Sequence, residues 1–482
     1  MDHEGETPVA DEQAGQVAHD PATPAALAEF MSQGWAPVRP LAGGPSAAAP
    51  FHAARRRSLS SAFPGEWIVV PTGNPKVRAN DTDYPFRPGT DFYWLTGSME
   101  PDAVLVLAPT GDGHEATLYT APRMDRSTPA FFTDRRYGEL WVGPRLGLEA
   151  EALLGIACAD VADLADVLQE AAGSRRVLRG LDSTVDAAVE SAEGDAELAT
   201  TLSELRLVKD EHEVERLQEA VDATVRGFED AVAALGEAKR FEHNGERWIE
   251  GTFFRRARVE GNDVGYGSIV ACGPHACTLH WVDNRGAVRD GDLALLDMGV
   301  ESAELYTADV TRTLPINGRY SEIQRDVYDA VWRAQQAAFA EVRPGADFLA
   351  PHRAAMVVLV DWLLERGILT GEAADILDEK AQLYRRYTLH GVSHMLGLDV
   401  HDCAEARNKV YRKGPLEEGY CITVEPGLYF QPDDLTVPEE YRGIGVRIED
   451  DLVVTADGYR NLSAALPTRA DEVEAWMAQI LS

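Results

Sequence analysis

Downstream of Thr201 the chain reads LSELRLVKDEHEVERLQEAVDATVRGFEDAV, in which Leu207, Val214, Leu217, Val221, Val225 and Phe228 recur at helical spacing with charges between them. An apolar stripe of that period predicts a long amphipathic helix, and we read it as the helix that opens a second domain. Ahead of it stand short β-branched runs ended by proline and glycine signals: WIVVP from Trp67, AVLVLAP from Ala103, ATLYTAP from Ala116 and VLRGLD from Val177. Such runs predict strands. With a stretch of helical composition over 149–172, they predict an α/β domain. Beyond the long helix, SIVACG, LALLDMG, ADVTRTLPI, CITVEPGLYF and VRIEDDLVVT read as strands in hairpin-like groups with helices between. One of those helices opens at Ser321, where S-E-I-Q is a capping box, and stops before Arg343-Pro344-Gly345. Grouped strands of this kind predict α+β architecture rather than a doubly wound parallel sheet. Residues 1–50 are rich in Ala, Pro, Gly and acids with little periodicity, so a disordered or loosely attached tail is expected there. The domains are then 1–50, 51–205 and 206–482.

Composition narrows the function. The formal net charge of −35 argues against nucleic-acid binding, because phosphates would be repelled over most of the surface. The five cysteines are odd in number and show no CxxC spacing, which disfavours a disulfide framework and a thiolate zinc site. The acidic start, MDHEGETPVADEQ, has no apolar signal-peptide core, and no run of about 18 apolar residues occurs to span a membrane. A cytoplasmic protein without membrane or nucleic-acid partners is expected.

The unusual feature is acid inside apolar strands. Asp297 in LALLDMGVE, Asp309 in YTADVTRTLPI, Glu425 in TVEPGLY and Glu449 in GVRIEDD all sit where an unpaired carboxylate should protonate or be excluded. Asp297 and Asp309 are twelve positions apart on two runs joined by a short connector. As a hairpin, cross-strand Cβ atoms come within about 4.5–5.5 Å, close enough for both carboxylates to share an ion. In GVRIEDD the period of two puts Arg447, Glu449 and Asp451 on one face, so spacing leaves Glu449 and Asp451 as alternatives.

A histidine cluster, HGVSHMLGLDVH, supplies His390, His394 and His401. It approaches the zincin pattern HExxHxxGxxH but fails twice: Gly391 stands at the glutamate's place, and Val400 at the third histidine's, with His401 one position late. A mononuclear zinc peptidase would lack its general base. One histidine with four carboxylates is instead a hard, oxygen-rich set that suits Mn²⁺ or a similar ion. Four carboxylates carry a charge that two divalent ions balance, whereas one ion leaves about two negative charges buried at several kcal/mol each. Two such ions can deprotonate a shared water, polarise a carbonyl and stabilise a tetrahedral intermediate, so a hydrolase is expected.

In order, SIVACGPHACTLHWVDN, LLDMG, TADVTRTLPINGRY, HGVSHMLGLDVHD, TVEPGLY and YRGIGVRIEDDLVVT resemble aminopeptidase P, the Xaa-Pro aminopeptidases among the pita-bread metallopeptidases. DYPFRPGTDFYWLTGSMEPDAVLVL from Asp83 and ELWVGPRLG from Glu139 resemble that family's N-terminal domain, so the likeness covers the chain from about Phe51 to its end. The resemblance implies a creatinase-type α/β N-terminal domain followed by a C-terminal pita-bread domain, with two divalent ions, most often manganese. It implies Asp297, Asp309, His394, Glu425 and Glu449 as ligands, Asp309 and Glu449 bridging, and so chooses Glu449 over Asp451. It implies His280, His390 and His401 on the substrate side, with His401, Glu425 and His280 catalytic, and Arg447 and Tyr429 in support behind the ligands. It implies a homotetramer or dimer, and attack of a metal-bridging hydroxide on Xaa-Pro-Yaa peptides.

The residues suit that chemistry. A bond before proline is a tertiary amide without an N–H, so recognition must rest on the carbonyl and the ring. His280 and Trp281 are expected to wall a ring pocket, and Asp297 to receive the free α-amine. Prolidase, which takes only the Xaa-Pro dipeptide, shares the ligand set and is the alternative. Methionine aminopeptidase normally lacks such an N-terminal domain, and a non-catalytic member would have no need of all five ligands.

Overall fold

A computed structural model describes residues 23–36, 43–80 and 82–482. Much of the expected tail, 1–22 and 37–42, lies outside them. Within its described part, Ala25–Met31 is a short helix with no buried side chain, and the Trp35 ring meets Phe131 edge-on at 5.3 Å.

The first sheet comprises β1 (Trp67–Pro71), β2 (Val104–Thr110), β3 (Gly113–Thr120), β4 (Ala157–Asp160) and β5 (Arg175–Val177), ordered β4-β3-β2-β1-β5. The β1–β2 and β2–β3 pairs are antiparallel, and β1–β5 and β3–β4 are parallel. Alternation sorts its side chains into two cores. Val69, Val104, Val106 and Val177 face helices of the N-terminal domain alone. Ile68, Val70, Leu105 and Leu107 enter a cluster that also holds Leu217, Val221, Leu396 and Leu398, so this face is cemented to the second domain. Two expectations shift. The helical stretch 149–172 is broken at Gly155, whose φ of +62° ends a helix before β4. The strand expected over 177–182 instead ends at Val177.

The long helix spans Glu211–Ala238 and starts after Leu207, because Asp210 and Glu213 form a reciprocal capping box. Helix Glu322–Phe339 begins with the Ser321–Gln324 box read from sequence. In the second domain β6 (Ile269–Cys272), β7 (Leu293–Met298) and β8 (Val310–Pro315) form one antiparallel sheet with β7 central. β9 (Cys421–Val424), β12 (Asp450–Thr455) and β13 (Gly458–Asn461) form another, and β10 (Gly427–Tyr429) pairs with β11 (Gly445–Arg447). The two acid-bearing runs expected as single strands are therefore each broken. Pro426, with no N–H to give a ladder, separates β9 from β10, and Ile448–Glu449 separates β11 from β12. Helices Glu322–Phe339 and Ala350–Glu365 pack with these sheets around the main core.

Candidate metal centre

The four acids sit where strand ladders start, stop or run beside one another. Asp297 lies in β7 opposite Thr311 of β8, so the hairpin brings Asp309, two residues earlier, to the same end. Glu425 falls at the β9–β10 break and Glu449 at the β11–β12 break, where its bridge to Thr311 joins two sheets. Their backbone donors stay satisfied: the N–H of Glu425 donates to Val392 O and that of Glu449 to Thr311 O. His394 arrives on a loop tied to β9 by the Met395–Ile422 bridge.

All five expected ligands line one cavity of ≈ 650 Å³, with His280, His390, His401, Arg447, Tyr266 and apolar walls from Ile269, Leu279, Val282 and Val400. His394 Nε2 stands 3.4 Å from Asp309 Oδ2 and 3.6 Å from Glu425 Oε1. Donor atoms of Asp309, His394 and Glu449 all lie within 4.8 Å of one another. His390 Nδ1 is 3.3 Å from Glu425 Oε2, and its Nε2 is 2.8 Å from the Tyr429 hydroxyl. Arg447 donates to Asp297 Oδ2 at 2.6 Å and to Tyr429 at 2.8 Å. The ring of His401 meets His394 edge-on at 4.4 Å, and His280 and His401 are exposed to the cavity.

Electrostatics describe a site short of positive charge. Burial, then the Asp309, Glu425 and Asp297 charges, hold the Glu449 carboxyl well above the usual range, with Arg447 opposing. Burial also raises Asp297, against the pull of Arg447. For Glu425 burial is overridden by His390 and then His394, which keep it below the ordinary value. Burial alone would lower His394, yet Asp309 and Glu425 push it up to about 9. Four largely buried carboxylates converging on two imidazoles, His390 and His394, and one guanidinium fit hard divalent cations.

One consequence is measurable. The His394 imidazole carries a proton at neutral pH without metal, and a ligand nitrogen must be free of it. Binding of Mn²⁺ therefore releases about one proton or more, and affinity climbs as pH rises toward about 9. Titration calorimetry in two buffers of different ionisation enthalpy counts the protons. Zero net release at pH 7 contradicts the expectation.

Side chains unread in the sequence complete the site. Tyr266 Oη lies 2.7 Å from Asp297 Oδ1 and 2.6 Å from Asp309 Oδ1, its one proton serving either. The Thr311 hydroxyl donates to Glu449 Oε2 at 2.6 Å. The acids after Glu449 have other partners. Asp450 accepts from Arg312 and Gln335, and Asp451 from the backbone N–H of Asp309 at 3.0 Å. Trp281 corrects an expectation: it does not line the cavity. Its indole N–H donates to the buried Glu246 and its ring stacks on His275, leaving Leu279 and Val282 as the apolar wall beside His280.

Residues 215–456 match the model of metallopeptidase family M24, and residues 52–178 that of the aminopeptidase P N-terminal domain. A protein named Xaa-Pro aminopeptidase 1 from Streptomyces coelicolor is 58% identical over 94% of this chain and 92% of its own. The Escherichia coli Xaa-Pro aminopeptidase is 33% identical over 89% and 97%. Among solved structures, aminopeptidase P from E. coli with the inhibitor Pro-Leu superposes with a TM-score of 0.80 at 30% identity, covering 91% of this chain and 99% of that one. Aminopeptidase PepP of Pseudomonas aeruginosa gives 0.78 at 32% identity, covering 89% and 98%.

Proposed function

Because this chain belongs to metallopeptidase family M24 and carries the aminopeptidase P N-terminal domain ahead of that unit, we propose that it is an Xaa-Pro aminopeptidase, releasing the first residue of peptides whose second residue is proline. The observation that carries this reading is the cluster of four acids and a histidine on one cavity with three further histidines, in a chain whose 58%-identical relative bears that name over nearly its whole length. Prolidase is not favoured, since relatives that match over more than nine-tenths of their own length are named Xaa-Pro aminopeptidases.

In this reading Asp297, Asp309, His394, Glu425 and Glu449 hold two divalent ions, manganese being the one that suits the donor set. The chemistry such ions supply when bound is acidification of a water and polarisation of the scissile carbonyl. His401, whose imidazole burial and His394 hold below its ordinary value, is neutral at pH 7 and donates a ring N–H to the carbonyl oxygen as charge builds there. Glu425, kept ionised by His390, takes a proton from the attacking water and passes it to the prolyl nitrogen, which has no proton of its own. Leu279, Val282 and His280 receive the proline ring, and Asp297, anchored by Arg447, faces the α-amine. Tyr429 links Arg447 to His390 and fixes both. The reading extends to a homo-oligomer, tetramer or dimer, working in the cytoplasm; five free cysteines suit a reducing compartment.

The decisive assay compares Xaa-Pro-Yaa with Xaa-Ala-Yaa and with the Xaa-Pro dipeptide, each with Mn²⁺. Cleavage confined to the first supports the reading. Equal rates on the proline and alanine tripeptides, or cleavage of the dipeptide alone, overturn it.

A further inference from the structure

His401 stands on the loop 397–402, and that loop is fastened by side chains that do not line the cavity. Asp402, next to His401, is 2% exposed; its Oδ2 accepts from Lys209 Nζ at 3.0 Å and its Oδ1 from Arg206 Nε at 3.3 Å. Lys209 and Arg206 belong to the linker before helix Glu211–Ala238, and Arg206 also pairs with Asp91 in helix Thr90–Thr96 of the N-terminal domain. That domain grips the loop directly as well. Arg87 donates to the Leu398 carbonyl and to Glu301, each at 2.6 Å, and the Thr90 hydroxyl donates to Asp399 Oδ1 at 2.7 Å. Leu396 and Leu398 share an apolar cluster with Phe92, Tyr93, Trp94 and Leu95. At position 397 only glycine fits, because a Cβ would stand 2.2 Å from Asp402 Oδ2.

Burying two cations and a carboxylate is an expensive way to gain stability, since apolar packing of similar volume does as well. What the charged arrangement adds is direction. Each contact fixes the backbone within a few residues of one exposed imidazole, and several reach it from the other domain.

We propose that the N-terminal domain takes part in the reaction through this loop, with Arg87, Thr90, Arg206, Lys209 and Asp402 as positioning residues that act through His401. The inference rests on the role given to His401 above. Misplacing a catalytic group by a fraction of an ångström affects turnover more than binding, so the signature is a fall in kcat with KM and metal content little changed.

The test is a double-mutant cycle on the metal-loaded full chain with an Xaa-Pro-Yaa peptide: Arg87→Gln, His401→Ala and the two together. Arg87 is suitable because its side chain is 32% exposed and Glu301 keeps the Asn262 amide as a partner. Arg87→Gln is expected to lower kcat about tenfold with KM within about twofold, and to cause no further loss once His401 is Ala. Thr90→Ala, which removes the hydroxyl's bond to Asp399 and the one it accepts from Arg87 at 3.3 Å, follows the same pattern at smaller amplitude. A loss that persists undiminished in the His401→Ala background overturns the inference, as does unchanged kcat in Arg87→Gln. Unchanged kcat in His401→Ala alone would instead overturn the role of His401, and the inference with it.

Discussion

Replacement of His401 by Ala lowers kcat on an Xaa-Pro-Yaa peptide by about 10²–10⁴-fold, the range for loss of one aligned donor or proton-transfer group, while the variant still binds its metal. The division follows from position. His401 is exposed to the cavity, and its contact with the ligand cluster is ring against ring with His394 at 4.4 Å. His394, by contrast, points Nε2 at Asp309 and Glu425. Removing His401 therefore strips a donor from the substrate side and leaves the acids as they were. Turnover assays beside elemental analysis of the same preparation decide it. Loss of metal in step with activity would move His401 into the ligand set.

Asp309→Asn gives the opposite division. Metal uptake collapses and turnover falls by at least about a thousandfold, as expected when paired-ion catalysis is lost, yet the metal-free fold becomes no less stable than the metal-free parent. Asp309 is the foremost charged neighbour raising Glu449, so neutralising it relieves repulsion in a buried cluster, which offsets the loss of its ion pair with His394 3.4 Å away. The amide keeps the side-chain volume and an acceptor for Tyr266, which stands 2.6 Å away. Thermal unfolding with and without Mn²⁺ reads both effects. The parent gains about 2.7 kcal/mol for each site at an ion concentration 100 times Kd, and the variant gains nothing. A variant that keeps a full metal-dependent rise would remove Asp309 from the ligands.

Much of this was legible in the chain because the signals were local. Acids within apolar runs announced Asp297, Asp309, Glu425 and Glu449, and the period of two placed Arg447 beside Glu449. The two-domain M24 architecture followed from ordered motifs. What stayed hidden depends on distance along the chain. Tyr266, in VGYGSI, offers no periodicity, and its role appears only when β7 and β8 bring two acids to it. Lys209 and Asp402 are 193 positions apart and meet in the interior. Trp281 looked like a pocket wall because it follows His280, but its indole N–H needed an acceptor and found Glu246. The long strand readings failed at Pro426 and Ile448–Glu449, since an apolar run does not reveal that its two halves join different sheets.

The three consecutive acids Glu449, Asp450 and Asp451 are chemically alike, yet each has its own fixed counterpart. Glu449 faces Thr311 and the cluster, Asp450 faces Arg312 and Gln335, and Asp451 caps the N–H of Asp309. Arg312 is itself tethered to the carbonyls of Thr311, Glu449, Leu466 and Pro467, so it cannot follow a moving partner. The tripeptide thus works as a vernier: one inserted or deleted residue would rotate every carboxylate into a neighbour's slot. Loops elsewhere can lengthen or shorten as the chain diverges, but here length itself is locked.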